Sequence, residues 1–299
     1  MVDRSDHYSY VVYADPAMAE RFDRARFSGP IGALLLEDQE RVLREFLGDL
    51  SGRQVIDVGT GTGRAAIALA RFGAHVTGVD ASDQMLDAAR KRATQAGVSI
   101  TFERDDAHAL SFGAATFDHA VSLRVLMHTP DWRRCLGELC RVTRHRVVVD
   151  FPALASAAAM QAIGRRAAQV MSRNVVRQGS PRVEAYRVFM LHTIAGEFER
   201  RGFRVRRVHR QFVLPIAVHK LIGSRSFTVT IERTLAALGL LRLVGSPVTI
   251  VAERWGPQRG APNAGPPTRQ PSWGPRNAAA ELGTPQRGSR DGVPRCESS

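Results

Sequence analysis

Lysine, cysteine and long apolar runs are scarce in this chain, and each scarcity bears on the class of protein. Only Lys91 and Lys220 are lysines among the 42 basic residues. The arginines are spread along the chain, so the net charge of +13 does not by itself predict a specific nucleic-acid site. A solvated arginine surface is the simpler interpretation, and attraction to RNA or to lipid headgroups is the alternative.

The cysteines form no metal or disulfide framework. Cys135 and Cys140 do not have the CxxC spacing and fall in a helical pattern, and Cys296 is far from both. This usage is typical of a reducing cytoplasm. No basic-then-apolar signal peptide is recognisable, and no apolar run reaches the roughly 18 residues of a spanning helix. We therefore expect a cytoplasmic protein, for which peripheral contact with the inner face of a membrane stays open.

Strand and helix patterns alternate from residue 51 onward. This alternation predicts an α/β fold, a doubly wound and mostly parallel seven-stranded sheet with helices on both faces and an antiparallel last strand. The predicted strands cover residues 54–58, 75–79, 99–104, 117–123, 146–150, 203–208 and 248–253. The predicted helical stretches cover residues 31–50, 62–72, 82–96, 132–142, 153–172, 184–201, 215–223 and 226–243.

Composition divides the chain into four parts. Residues 1–50 hold an aromatic N-terminal segment, expected to act as a lid, and a helix, and we expect Gly52 to prevent the helix from continuing. Residues 51–151 form the core of the sheet. Residues 152–255 hold an apolar, arginine-dotted insert and the closing strands of the same domain. Residues 256–299 are rich in Pro, Gly and Arg without an apolar period, so we expect a disordered tail.

Residues 55–70 have the pattern of a nucleoside-cofactor site, in which a β-branched strand runs through a glycine loop into a helix. From Gly61 the GxGxxA spacing matches a dinucleotide fingerprint. The same residues also read Asp57-x-Gly59-x-Gly61-x-Gly63, with a carboxylate beneath alternate glycines. A carboxylate repels a pyrophosphate but attracts an ammonium or sulfonium group. The loop therefore favours a cationic ligand.

Acidic residues further along extend this pattern. Asp80 ends the second predicted strand, where a carboxylate can accept hydrogen bonds from both ribose hydroxyls. Asp106 and Ala107 follow the third strand, where a side chain can bind an adenine amino group and a backbone N–H the ring. Asp105 is adjacent, so which carboxylate points inward stays open. A strand-ending or capping turn is the alternative at each position.

Together these residues resemble the class I S-adenosylmethionine-dependent methyltransferases, and within them the type 11 subgroup of small-molecule and ubiquinone/menaquinone-biosynthesis enzymes. The resemblance covers about residues 13–253. It is carried, in the family's order, by the segments VIDVGTGTG, VTGVDAS, ERDDAHALSF and FDHAVSLRVLMHTPDWRRCLGELCRV. In two departures, Arg124 stands where a small or polar residue is common, and residues 144–146 replace a K-P-G-G turn. We expect the second departure to alter only a surface turn.

The resemblance implies S-adenosyl-L-methionine as the cofactor. The matching positions are Asp57, Gly59, Gly61 and Gly63 for the methionine part, Asp80 with Ala81 and Met85 for the ribose, Asp106 and Ala107 for the adenine, and Leu123 for the methyl-transfer face.

Fewer residues point to the acceptor. A hydroxyl acceptor needs a base, for which His128 after the fourth strand is the candidate; a histidine that only shapes the pocket is the alternative. Tyr13 and Arg26 resemble the family's N-terminal lid. Arg124 and Tyr186 are candidates for the acceptor pocket, with core packing as the alternative for Tyr186.

These observations predict methyl transfer to an oxygen or carbon of a small or lipid-like acceptor, of isoprenoid, quinone or glycosylated type. Neither a D/N/S-P-P-Y/F tetrapeptide nor a metal cluster is recognisable, and no specific nucleic-acid partner is expected. An NAD(P)-dependent oxidoreductase is one alternative, disfavoured by Asp57 and by the lack of a Tyr-x-x-x-Lys relay. A non-enzymatic cofactor- or RNA-binding protein is another.

Overall fold

A sheet of seven strands forms the centre of the fold. The computed structural model describes residues 27–154 and 187–255. The strands are β1 (Gln54–Val58), β2 (His75–Asp80), β3 (Thr101–Arg104), β4 (Phe117–Ser122), β5 (Thr143–Phe151), β6 (Phe203–Phe212) and β7 (Ser246–Arg254).

The order of the strands across the sheet is β3-β2-β1-β4-β5-β7-β6. The pairs from β3 to β5 are parallel, and β7 is antiparallel to both of its neighbours, β5 and β6. The strand order reverses between β1 and β4, the switch point at which α/β sheets bind ligands. The predicted seven-stranded α/β fold with an antiparallel last strand is confirmed.

Helices cover both faces of the sheet. They are α1 (Gly29–Leu47), α2 (Arg64–Arg71), α3 (Asp83–Gln95), α4 (Trp132–Val142), α5 (Leu191–Glu199), α6 (Ile216–Ile222), α7 (Arg225–Ala237) and α8 (Leu240–Val244). The side chains of β5 alternate between two apolar clusters, with Val147 and Val149 in one and Val148 in the other. The first cluster includes residues of α4 and α5, and the second includes residues of α1 and α2.

Helix α4 shows how the sequence pattern produces this packing. Asp131 caps its N-terminus by accepting a hydrogen bond from the backbone N–H of Arg134 at 3.1 Å. Cys135 and Cys140 lie on its buried face with Leu139. Burial raises the pKa of both thiols to about 12, so these cysteines are packing residues rather than reactive groups.

The predicted helix over residues 184–201 is wrong at its start, because α5 begins only at Leu191. The preceding backbone is used in tertiary pairing instead. The N–H of Arg187 donates to the carbonyl of Met127 at 3.1 Å, and the N–H of Phe189 donates to the carbonyl of Pro152 at 2.9 Å. These bonds hold the segment against the sheet and are incompatible with helical i to i−4 bonding.

Three further boundaries differ from the prediction. Helix α1 is capped by Gly48 rather than ending near Gly52. Gly239, at φ 79°, divides the stretch over residues 226–243 into α7 and α8. The expected surface turn over residues 144–146 is absent, because β5 begins at Thr143, directly after α4.

Several predictions lie outside the described residues. These are the lid over residues 1–26, the helical stretch over 155–172, the start of the stretch over 184–201 and the tail over 256–299. The described residues, 27–154 and 187–255, fall within one compact unit. Within residues 27–154 and 187–255, no helix is both long and apolar enough to cross a bilayer.

Candidate cofactor and acceptor site

A cavity of about 180 Å³ opens at the carboxyl ends of β1, β2 and β4, beside the switch point. Most of the predicted site residues in the described part of the chain line it. They are Asp57, Gly59, Gly61, Asp80, Ala81, Met85, Ala107, Leu123, Arg124 and His128.

Each glycine of the loop after β1 has a positive φ, but their roles differ. A Cβ on Gly59 would lie 2.3 Å from Cγ2 of Val125, which is a severe clash. Only glycine, which has no Cβ, lets the loop pass the Val125 side chain. Gly61 faces open space and its N–H donates to Oδ2 of Asp80 at 2.9 Å. Gly63 is not among the described residues that line the cavity. A Cβ there would lie 3.0 Å from that of Ala89, so Gly63 permits close packing of α2 on α3.

The carboxylate of Asp57 lies at the base of the loop and is fully buried. Burial raises the pKa of Asp57 to about 6. Hydrogen bonds from the Thr60 hydroxyl, at 2.8 Å, and from the Ala66 N–H lower this pKa, but burial has the larger effect. A buried carboxylate lining a cavity is stabilised by a cationic ligand. This electrostatic environment fits the methionine end of S-adenosyl-L-methionine, which carries an ammonium and a sulfonium group.

Asp80 connects the loop to the start of α3. Its carboxylate accepts hydrogen bonds from the N–H groups of Gly61, at 2.9 Å, and Ser82, at 3.0 Å. Burial raises the pKa of Asp80, and these backbone donors lower it. The hydroxyl of Ser82 in turn caps α3 by accepting from the N–H of Met85 at 3.2 Å. These bonds hold the carboxylate in the lining of the cavity.

The sequence analysis named Asp106 as the adenine-binding candidate and left open whether Asp105 points inward instead. Asp105 and Ala107 are among the described residues that line the cavity, and Asp106 is not. Oδ1 of Asp106 lies 2.8 Å from Nδ1 of His108 and accepts the backbone N–H of that residue at 2.9 Å. His108 itself lines the cavity. The Asp106 carboxylate thus orients His108, and it is Asp105 and His108 that face the site.

Arg124 follows β4 with φ 67°, a conformation that is strained for a residue with a side chain. Its backbone N–H donates to Oδ1 of Asp150, a buried residue of β5. Nε of Arg124 is buried and has no hydrogen-bond partner in the described part of the chain. The bond to Asp150 holds the Arg124 backbone where its residue lines both cavities.

His128, the predicted base, lines the same cavity, and its backbone N–H donates to the carbonyl of Val125 at 2.8 Å. Tyr13, Arg26 and Tyr186 lie outside the described residues. The sequence analysis missed several lining residues. Thr60 and Thr62 could have been found because they lie between the loop glycines, whereas Gln39 carried no signal. Other lining residues that the sequence analysis did not assign to the site include Val58, Arg64, Ala65, Val79, His108, Val125, Thr129 and Pro130.

A second, smaller cavity of about 30 Å³ adjoins the first and shares Gln39, Leu123 and Arg124 with it. It lies at the same edge of the sheet, beside the ends of β5 and β6 and the start of β7. Its polar lining consists of residues that are far apart in sequence, namely Asp38, Asp150, His209, Gln211 and Thr249. The two cavities together extend across both sides of the switch point.

Residues 55–146 match a family model described as a methyltransferase domain. The chain is also similar to a ubiquinone biosynthesis O-methyltransferase of Methylocella silvestris, with 34% identity over 42% of this chain and 60% of that protein. A protein of the same name from Coxiella burnetii is 39% identical over 29% of this chain and 37% of its own length. The matched regions thus span at most 60% of these curated relatives.

Solved structures share the fold over more of the chain. Magnesium protoporphyrin IX methyltransferase (ChlM) from Synechocystis PCC 6803 with bound SAH has a TM-score of 0.58 at 19% identity, over 83% of this chain and all of that one. The [4+2]-cyclase SpnF has a TM-score of 0.51 at 19% identity, over 73% of this chain and 80% of that one. At these identities the likeness shows the fold alone, and a methyltransferase and a cyclase are both named among these structures.

Proposed function

We propose that this protein is an S-adenosylmethionine-dependent methyltransferase that transfers a methyl group to a hydroxyl oxygen of a small, quinone-type acceptor. The match of residues 55–146 to the family model of a methyltransferase domain supports this proposal. The observation that carries the proposal is the fully buried Asp57 carboxylate in the same cavity as Asp80. A buried anion at the base of a glycine loop is suited to a cationic amino-acid end. The carboxylate after β2 is suited to a ribose.

The residues of the first cavity are suited to bind and orient the cofactor. S-adenosyl-L-methionine, when bound, supplies a methyl group that its sulfonium already activates. Asp57 would balance the positive charge, and Asp80 would accept the ribose hydroxyls. Ala107 and Asp105 are placed to contact the base. Leu123 and Val125 line the cavity with apolar groups that limit the access of water.

The quinone-type acceptor is supported by two independent facts. The similar curated proteins are named for ubiquinone biosynthesis and for O-methylation. The second cavity has a polar end, at His209 and Gln211, and apolar walls that include Leu35 and Val42. Such a lining suits the hydroxyl of an aromatic ring more than a fully charged or fully apolar molecule.

Two measurements test the proposal. Calorimetry should detect binding of S-adenosyl-L-methionine, and Asp80→Ala should weaken it by about 10-fold to 100-fold, since hydrogen bonds to a charged group contribute about 1.5–3 kcal/mol. Asp87→Ala, which removes an exposed aspartate of α3, is the matched control and should leave the affinity unchanged.

Labelled-methyl transfer should then be measured on reduced hydroxyquinols with short isoprenyl chains, beside aqueous and lipid extracts. Label in the hydroxyquinol, recovered as a methyl ether, is the expected result. Label confined to a carbon, or to a glycosylated or non-quinone compound, would contradict the acceptor class. Absence of cofactor binding would contradict the function itself.

A further inference from the structure

The second cavity contains a histidine–aspartate pair that no sequence pattern indicated. Nε2 of His209, on β6, lies 2.9 Å from Oδ2 of Asp38, on α1. The same oxygen accepts a hydrogen bond from the side-chain amide of Gln211 at 2.9 Å, and Arg41 donates to Oδ1. The two members of the pair are 171 residues apart in sequence.

The alternation of β6 produces this arrangement. Arg207, His209 and Gln211 are two residues apart, so their side chains share the face of the strand that meets α1. Arg207 donates to the carbonyl of Glu45 at 2.9 Å, and the other two reach Asp38. Each of the three therefore contacts α1, but only His209 and Gln211 also line the cavity.

Asp38 holds the imidazole of His209 in one orientation. Burial alone would raise the pKa of Asp38, but hydrogen bonds and charge from His209 and Arg41 outweigh burial and lower it. An ionised carboxylate can only accept a hydrogen bond, so Nε2–H of His209 donates to Asp38 and the lone pair of the neutral imidazole is on Nδ1. An aspartate that fixes the tautomer of a histidine in this way is a recurring device for making that histidine a proton acceptor.

We propose that His209, positioned by Asp38, accepts the proton of the acceptor hydroxyl during methyl transfer; this inference rests on the proposed function. The O–H bond breaks and its proton binds Nδ1 of His209. The oxygen electron pair forms the bond to the methyl carbon, and the electrons of the methyl–sulfur bond remain on sulfur. The products are a methyl ether, S-adenosylhomocysteine and a protonated His209.

The size and surroundings of the cavity support this assignment. A volume of about 30 Å³ holds a hydroxyl group and little more, given that about 10–15 Å³ suffices for a water molecule. The acceptor would therefore enter with its hydroxyl first and keep its larger part towards the shared wall of Leu123 and Arg124. The other charged groups at this cavity are Arg124, whose cation favours an ionising oxygen, and Asp150, which holds the Arg124 backbone.

The test uses catechol and the more acidic 4-nitrocatechol as probes on the full-length protein. His209→Gln should lower kcat for catechol by about 100-fold or more, the usual contribution of a general base. The loss should be several-fold smaller for 4-nitrocatechol, whose hydroxyl needs less help to ionise. The residual catechol activity should rise with pH, because solvent hydroxide replaces the missing base, and imidazole should partly rescue His209→Ala.

Three further measurements separate a base from a structural residue. Calorimetry should give the same S-adenosylhomocysteine affinity for wild type and His209→Gln. In 15N-histidine-labelled protein, catechol should perturb a ring signal that is absent from the His209→Gln spectrum. Asp38→Asn should lower kcat with little change in KM, while His128→Gln should keep the wild-type dependence on acceptor acidity.

Equal losses for both probes, a loss below about twofold, or an acidity dependence that follows His128 instead would overturn the assignment. So would a wild type that binds the cofactor and methylates neither probe, because the inference requires a hydroxyl acceptor. A wild type that does not bind the cofactor at all would instead contradict the proposed function. The two failures are therefore distinguishable.

Discussion

At the scale of single residues, Asp57 shows how a binding site reduces stability. Its carboxylate is fully buried, and burial raises its pKa from 3.8 to about 6. At about 1.36 kcal/mol per pKa unit, the ionised form costs the ligand-free fold about 3 kcal/mol at neutral pH. A bound cation would offset this cost, so the same carboxylate that destabilises the empty protein favours the ligand.

Asp57→Asn should therefore raise the free energy of unfolding of the ligand-free protein at neutral pH by about 1–3 kcal/mol. Because the folded-state pKa lies above the unfolded-state value, wild-type stability falls as the pH rises from 3.8 to about 6, and the variant should lack that fall. Urea denaturation across this range measures both effects. The affinity for S-adenosyl-L-methionine should drop at the same time.

Asp87→Asn is the matched control, since Asp87 is an exposed aspartate of α3 and should show neither effect. A destabilised Asp57→Asn variant would mean that the hydrogen bonds from Thr60 and Ala66 outweigh the desolvation of the carboxylate.

At the scale of elements, the segment between β6 and β7 is held by one buried carboxylate. Glu232 of α7 accepts hydrogen bonds from the backbone N–H groups of Val213, at 2.7 Å, and Leu214, at 3.0 Å. It also lies 2.9 Å from Nε2 of His219 on α6, a fully buried histidine whose Nδ1 contacts the Thr228 hydroxyl. One side chain thus joins α6, α7 and the end of β6.

Glu232→Ala should lower the free energy of unfolding by about 3 kcal/mol, because it leaves two backbone donors and a buried histidine without their acceptor. Urea denaturation measures the loss. Glu199→Ala, an exposed position at the end of α5, is the control and should change stability by less than about 0.5 kcal/mol. Equal effects of the two substitutions would show that the network contributes nothing to stability.

At the scale of the whole molecule, both cavities lie along one edge of the sheet. Parallel strands place their carboxyl ends at the same edge, so the ligand-binding loops after β1, β2 and β4 converge there. The antiparallel β7 contributes its beginning rather than its end, with Pro247 and Thr249 in the second cavity. The second cavity is therefore built partly from β7, the strand nearest the C-terminus among those of the sheet.

The composition of residues 256–299 leads to a prediction at this scale. The segment has too little apolar surface to offset the entropy of ordering, so a protein ending at Trp255 should keep its melting temperature and its affinity for S-adenosyl-L-methionine. Thermal denaturation and calorimetry on both lengths of chain make the comparison. A melting temperature lowered by several degrees would show that the segment packs on the fold.

Local sequence patterns predicted many of the residues that line the first cavity. The glycine spacing, the acidic residue at the end of β1 and Asp80 after β2 lie within short segments, and β-strand and helix periodicity places such segments without knowledge of the rest. The same reasoning explains the confirmed fold class, since alternating strands and helices allow few topologies. Local patterns did not predict where α5 and β5 begin, because backbone pairing with distant segments decides both boundaries.

Only the tertiary structure showed which residues line the second cavity and the acidic end of the first. The choice of Asp105 over Asp106 depends on how His108 packs, and the left-handed backbone of Arg124 depends on the Asp150 carboxylate beside it. The pairing of Asp38 with His209 requires α1 to lie across β6. Contacts of this kind join residues that no local pattern relates. The sequence by itself therefore indicated the glycine loop and the carboxylates of the first cavity, because they lie in short local patterns. The folding of distant segments decided which residues line the second cavity, because no local pattern relates them.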